Sequence, residues 1–316
     1  MLNVNANNDV QTEIIQENWR SCNLCGQTRF QILYDFDKFQ IMRCKQCGLT
    51  ANSLLVKGSF LEKTYSAEYY QNRYDYYFQN CVISKNISKD NTNIRDFRRG
   101  LDLIAHFKRH GKLLDVGCAL GIFLSLAREG GWETYGLDIS QYAASYAREE
   151  LGLQTFTGQL ETVSFDDQLF DVITLWDVLE HFPDPAYQLK QVHRVLKDDG
   201  IVFINTPNED GLLRLLGKIL FRASGGAVSY PLRKLYHEFH LYYFTPKTFL
   251  QLLEGSGFSL IHLEKRCIPI LKARGRPWER LLVKMLSWPE RILNKEYELW
   301  TIAKKKCRNR VEVKNG

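Results

Sequence analysis

Residues 112–123, Lys-Leu-Leu-Asp-Val-Gly-Cys-Ala-Leu-Gly-Ile-Phe, restrict this chain more than any other stretch. An apolar run ends on Asp115, small residues follow at Gly117, Ala119 and Gly121, and an apolar helical pattern starts behind them. This predicts a buried strand, a tight turn and the start of a helix. Small residues there let a ligand lie against the backbone, and a helix N-terminus offers N–H groups without intrahelical partners. A phosphate-binding P-loop would close on Gly-Lys-Ser/Thr, but Ile122 and Phe123 follow Gly121. A dinucleotide fingerprint finds its acid in Asp138, yet the glycine spacing is wrong and Asp115 has no role in it. The remaining pattern is acid-x-Gly-x-Gly-x-Gly, met by Asp115, Gly117 and Gly121 with Ala119 in the middle place. A strand-to-helix turn that binds nothing is the alternative.

Strands and helices alternate beyond this turn. An amphipathic helix over 91–110 leads in. Strands are expected at Lys112–Val116, Thr134–Asp138, Gln154–Thr157, Asp171–Trp176 and Ile201–Asn205, with helices at Leu120–Glu129, Gln141–Leu151 and Ala186–Leu196. Short apolar strands separated by helices imply a parallel sheet covered on both faces, an α/β, Rossmann-like doubly wound fold that binds ligands beyond the strands' carboxyl ends. Asp138 stands at such an end, where a carboxylate can accept both hydroxyls of a ribose; a turn-capping role is its alternative. Ile139 follows it. Gln159 and Leu160 sit past the third strand, Asp177 and His181 past the fourth.

The N-terminal part carries a different signal. Cys22, Cys25, Cys44 and Cys47 form two Cys-x-x-Cys pairs, each followed by glycine, with two short apolar strands, Phe30–Tyr34 and Phe39–Met42, between them. Four thiolates in two pairs suit tetrahedral, structural Zn2+, and so small a unit needs such a staple. A redox dithiol is the alternative. The four other cysteines are scattered, and the polar, Asn-rich start is neither signal nor transit peptide, which points to reduced thiols and a cytoplasmic protein. No apolar run is long enough to span a bilayer.

The expected organisation is a disordered N-terminus (1–18), the zinc ribbon (19–52), an aromatic helical linker (53–90), the main domain (91–306) and a basic tail (307–316). In the linker, Tyr65, Tyr69, Tyr70, Tyr74, Tyr76, Tyr77 and Phe78 follow helical spacing. They either pack on the main domain or lend hydroxyls to its cleft.

Asp115-x-Gly, Asp138 and the runs FDVITLWDVLEHF, LKDDGIVFINTPN and HLYYFTPKTFLQLLEGSGF resemble class I S-adenosylmethionine (SAM) methyltransferases of the ubiquinone-biosynthesis-like, small-molecule type. The ribbon together with Leu61–Tyr65 and Glu68–Tyr70 resembles a bacterial group that carries such a ribbon. The resemblance implies a seven-stranded sheet ending in an antiparallel hairpin, here Phe258–Lys265 and Glu298–Lys304. It also implies SAM as cofactor. Asp115, Gly117, Ala119, Gly121, Asp138, Ile139, Gln159, Leu160 and Asp177 are then its contacts. Alanine at 119 replaces a family glycine. Methyl transfer to an O or C nucleophile of a small-molecule, sugar or lipid-linked acceptor also needs a base. His181 is the leading candidate. The alternative is a packing role for His181, with His237 and His240 as further candidates; the resemblance favours His240 near the acceptor. The strand end DVLEH lacks the Asn/Asp-Pro-Pro-aromatic loop of base methylation, which argues against nucleic acid. An rRNA or tRNA methyltransferase using the ribbon, and a non-catalytic SAM-fold binding module, are the rival readings.

Two segments exceed a minimal core of this kind: insertions at 211–236 and 268–295. Residues 211–236 carry five basic and no acidic groups and 272–291 carry six against two, so together they hold more positive charge than the chain's net +6. In Leu212–Arg222, Arg214, Lys218 and Arg222 form a basic stripe opposite Leu212, Leu215, Leu216 and Ile219. In Pro277–Leu293, Trp278, Leu281, Leu282, Met285 and Trp288 oppose Arg280, Lys284 and Arg291. Such segments form either a lid over the cleft or a surface that meets an anionic membrane peripherally.

Overall fold

A computed structural model describes residues 14–15, 21–36, 38–56, 64–70, 92–236, 239–267 and 277–306. The expected disordered start apart from Ile14 and Ile15, Tyr74, Tyr76, Tyr77 and Phe78, the side chain of Trp278, His237 and the basic tail lie outside them.

The chain opens with β1 (Ile14–Ile15), β2 (Phe30–Asp35), β3 (Gln40–Cys44), β4 (Thr50–Asn52) and β5 (Leu55–Val56). After one helical turn at Ala67–Tyr69 come α1 (Thr92–Ala105), β6 (Lys112–Val116), α2 (Ile122–Glu129), β7 (Glu133–Asp138), α3 (Gln141–Glu149), β8 (Gln154–Thr157) and β9 (Phe170–Trp176). Then follow α4 (Pro185–Val195), β10 (Leu196–Pro207), α5 (Leu212–Ala223), α6 (Tyr230–Leu235), β11 (Tyr242–Tyr243), α7 (Pro246–Gly255), β12 (Phe258–Arg266), α8 (Pro277–Ile292) and β13 (Glu298–Lys305).

The main sheet has seven strands in the order β12-β13-β10-β9-β6-β7-β8. The five from β10 to β8 are parallel, and β13 runs antiparallel to both β10 and β12. Its central strands read as continuous apolar runs because both faces are covered: Leu113, Leu114, Val172, Ile173, Val202 and Ile204 are fully buried. Each such side chain contributes roughly 1.5–3 kcal/mol on leaving water. The fold is the expected Rossmann-like one. Helix α2 begins at Ile122, later than expected, because Gly121 precedes it in a left-handed conformation (φ 79°). The helix expected over 91–110 ends at Ala105.

The two strands expected between the cysteine pairs are present as β2 and β3, but they belong to a larger second sheet. Its four strands run β11-β4-β3-β2, so the cysteine-bearing hairpin is extended by Thr50–Asn52 and then by Tyr242–Tyr243 from the far side of the chain. Cys22, Cys44, Leu49 and Ala51 share one apolar cluster with Leu114, Ile173, Leu179 and Phe244. The N-terminal unit is therefore packed into the main core.

Candidate active site

The turn after β6 is built backwards from β7. Gly117 and Cys118 both donate their N–H to the carbonyl of Leu137, at 2.7 and 3.1 Å. Ala119 donates to Asp138 Oδ2 at 2.7 Å, and Ser140 donates to Asp138 Oδ1 at 2.8 Å. The turn N–H groups expected to face a ligand are thus largely spent inside the protein. Their effect is to fix the Asp138 carboxylate at the strand end with one lone pair on each oxygen to spare. Gly117 stands at φ 78°, and a Cβ there would lie 2.7 Å from Val178 Cγ2, so no side chain fits. Burial raises the carboxyl of Asp138 to about 6. Burial likewise pushes Asp115 up to about 8, helped by Asp138 and opposed by the Thr174 hydroxyl that donates to it at 2.6 Å.

The end of β9 supplies the second half. Asp177 adopts a left-handed φ of 49° and accepts from Asn205 Nδ2 at 2.9 Å. A 3-10 turn, Leu179–His181, follows. His181 Nδ1 lies 2.8 Å from the carbonyl oxygen of Phe239. A carbonyl can only accept, so Nδ1 carries the proton and Nε2 presents its lone pair. Burial lowers the His181 pKa, against the pull of the Phe239 carbonyl and Asp177. His240 meets His181 edge to face with ring centroids 4.6 Å apart. Glu180 is fully buried, accepts from the Thr206 hydroxyl at 3.0 Å, and is raised to about 8 by burial and then by Asp177. Glu180, His181 and His240 offer ligand atoms all within 4.8 Å of one another, a set that can pass a proton or hold a divalent cation.

One cavity of about 1380 Å3 joins these groups, more than the roughly 300–1,000 Å3 of an ordinary small-ligand site. Of the expected site residues, Asp115, Gly117, Ala119, Asp138, Ile139, Gln159, Leu160, Asp177, His181 and His240 line it. Gly121 is not among the lining residues. A Cβ on it would lie 2.6 Å from Leu153 and 2.9 Å from Ala147, so it serves close packing of α2 against α3. Tyr65, Tyr69 and Tyr70 also line the cavity, which favours the cleft reading of the aromatic stretch. Sequence reasoning missed Asn93, Asp96, Phe97 and Trp176, which line the same wall. The available signal was the pair of polar residues, Asn93 and Asp96, flanking the buried Ile94 on α1.

The family model described as "Methyltransferase domain" matches residues 90–263, more than half of the chain. The chain belongs to this methyltransferase family. It is 32% identical over 105 residues to a ubiquinone biosynthesis O-methyltransferase of Pseudomonas aeruginosa, covering 31% of this chain and 45% of that one. It is 35% identical over 114 residues to the protein of that name from Thiobacillus denitrificans, covering 34% and 49%. The chain thus spans about half the length of the curated relatives it matches. Among solved structures, the PH0226 protein from Pyrococcus horikoshii superposes with a TM-score of 0.49 at 22% identity, covering 76% of this chain and 99% of that one.

In this methyltransferase the four ribbon cysteines converge. Their sulfurs all lie within 4.8 Å of one another, with Cys22–Cys47 and Cys25–Cys44 each at 3.6 Å. A tetrahedron with Zn–S bonds of about 2.3 Å has edges of roughly 3.8 Å, so the donor set fits zinc. Bound there, zinc would supply folding energy and no open coordination position.

The basic stripe of the methyltransferase needs correction. Arg214 is fully buried and pairs with Glu209 at 2.9 Å, in a cage with Tyr236, Tyr243 and Tyr297. Lys218 pairs with the same carboxylate at 2.8 Å, and Lys234 pairs with Glu279 at 2.9 Å. Helical spacing showed the cations but not Glu209, which lies just outside the segment. The apolar stripes behave otherwise: Trp288 is 72% and Met285 66% exposed, with Leu215, Ile219, Leu281 and Leu282 also open to solvent. No helix among the described residues is long and apolar enough to cross a membrane.

Proposed function

We propose that the enzyme moves the methyl group of SAM to an oxygen or carbon nucleophile, with His181 as the base. The observation that carries this is the His181 ring, held by Nδ1–H on the Phe239 carbonyl with Nε2 open, in the same cavity as Asp138. Bound SAM supplies an electrophilic methyl on a sulfonium sulfur. Asp138 then takes the ribose hydroxyls, while Asp115, Gly117, Ala119, Ile139, Gln159, Leu160 and Asp177 form the surrounding wall. Nε2 of His181 removes the acceptor proton, and His240, edge-on to the ring, is the second candidate. Walls of Phe97, Trp176 and the tyrosines keep water out, and alignment of the reacting groups supplies about 7–11 kcal/mol. The O-methyltransferase names of the relatives favour oxygen. His181→Ala should leave SAM affinity intact and slow methyl transfer about 10²–10⁴-fold; unchanged transfer moves the role to His240.

The acceptor, on this reading, is lipid-linked and is met at an anionic membrane surface. Eleven of the sixteen large apolar side chains exposed among the described residues lie between Leu215 and Tyr230 or between Leu281 and Leu293. Ile219, Leu220 and Leu282 belong to that patch and also line the cavity, so the site opens onto it. Exposed Arg222, Lys284 and Arg291 rim the patch. Sedimentation with phosphatidylglycerol vesicles should show binding that weakens with salt and with Trp288→Ala. Absence of binding even at low salt replaces this acceptor with a soluble small molecule or sugar and leaves the helices as a lid.

A further inference from the structure

The ribbon touches the loop that carries His181 at several points. Asn23, between the first two cysteines, donates its side-chain amide to the carbonyl of Pro183 at 2.9 Å. The hydroxyl of Tyr242, on the last strand of the ribbon sheet, donates to the same carbonyl at 2.8 Å. Asn52 of β4 donates its N–H to Leu241, and Leu241 donates its own to the carbonyl of Glu180, both at 2.9 Å. The loop is therefore gripped at Glu180 and at Pro183, on both sides of His181. The acceptor for the His181 ring, Phe239, lies three residues before Tyr242 on the same run. Leu24, Cys47, Phe182 and Phe239 pack against one apolar cluster, so cysteine geometry and loop position share side chains.

We propose that Asn23 is a positioning residue, through which the four-cysteine ribbon sets the loop bearing His181 and so selects the tautomer that leaves Nε2 open. The ribbon would thus stand behind the loop that lines the methyltransferase site, its zinc-dependent fold acting on the chemistry without touching substrate. The cysteine loop is suited to this because four ligands on one ion fix the knuckle far more tightly than its few apolar contacts could. Asn23 and Tyr242 share one acceptor oxygen, so loss of either shifts its burden to the other, and the two substitutions should couple. The consequence for catalysis rests on His181 being the base, but the geometric assignment does not.

The test reads the ring and needs no acceptor. Imidazole nitrogen spectra of the zinc-loaded full chain at about pH 8, where an ordinary histidine is neutral, report the tautomer of His181, with His181→Gln to assign the signal. The charged or titratable groups around the ring are Asp177, Glu180, His240 and Tyr65. Wild type should show the Nδ1–H form. Asn23→Asp keeps the shape but removes the donor; combined with Tyr242→Phe it should lower the ratio of Nδ1–H to Nε2–H about tenfold, the size of one net hydrogen bond. Zinc content and SAM binding should stay at wild-type levels. Tyr242→Phe alone removes only a hydroxyl and should give a smaller shift in the same direction. An unchanged tautomer ratio in the double variant with zinc retained would overturn the assignment. If the double variant loses zinc or does not fold, the Asn23→Asp spectrum decides: a shift toward Nε2–H supports the assignment, and no shift overturns it.

Discussion

The N–H of Ala119 is aimed at the carboxylate of Asp138 at 2.7 Å, and Ala119 takes a left-handed φ of 48° to do it. For a residue with a Cβ that conformation costs about 1–2 kcal/mol. The family glycine would carry no such strain. Ala119→Gly should therefore stabilise the protein by up to about 1 kcal/mol, the larger freedom of glycine in the unfolded chain offsetting part of the relief. Denaturant unfolding measures it; a loss of stability would mean that the methyl group's packing beside Tyr70 and Leu120 outweighs the strain.

Asp138 makes SAM binding depend on pH. Its folded carboxyl is raised to about 6 by burial, and only the carboxylate can accept from two hydroxyls. Affinity should hold above about pH 6 and fall below it as the group takes up a proton. Asp138→Ala should weaken SAM by roughly 2–3 kcal/mol, the range of a lost charged hydrogen bond. Calorimetry across this range should show wild type losing affinity on acidification and Asp138→Asn nearly flat. A wild-type affinity indifferent to pH would mean that SAM is held elsewhere.

Zinc should be present at one ion per chain. Cys44→Ser should lower metal content and stability together, because lost ligation is lost folding energy. Metal analysis beside a thermal melt makes the comparison, and full retention of metal in Cys22→Ser and Cys44→Ser would rule out the four-cysteine site.

Glu209 anchors α5 from within. Burial alone would raise its carboxyl, but Arg214 and Lys218 hold it below the usual range. A depressed folded pKa contributes stability above the unfolded value of about 4.5, and that contribution is lost as pH falls through the folded one. Glu209→Gln leaves three cations, Arg43, Lys218 and the fully buried Arg214, without their shared carboxylate and should cost about 3–5 kcal/mol at neutral pH. A urea titration showing less than about 1 kcal/mol of loss would mean that Tyr236, Tyr243 and Tyr297 alone can hold Arg214.

The parallel sheet was legible because its signal is local. Lys112–Val116 and Asp171–Trp176 are apolar runs ending at polar residues, and a strand buried on both faces reads that way wherever it lies. Asp138 and His181 were legible as strand-end residues. The β2–β3 hairpin was legible too, but its extension was not, since β4 is only three residues long and the two-residue β11 exists only because a distant segment meets it. Arg214 looked like a solvated cation because helical periodicity carries no information about a carboxylate outside the helix. Gly121 looked like a ligand contact, whereas its missing side chain makes room for Ala147 and Leu153.

The strand Tyr242–Tyr243 imposes an order of events during synthesis. The cysteine hairpin leaves the ribosome early, but the edge of β4 cannot be paired until all five parallel strands, which end at Pro207, have been translated. Until then the ribbon presents an open strand edge, the kind that captures other chains. Early metal loading would hold the hairpin compact through that interval, whereas a ribbon expressed alone would keep its sticky edge for good. Closure of the small sheet is thus a late folding step, and it is the same step that brings His240 up to His181.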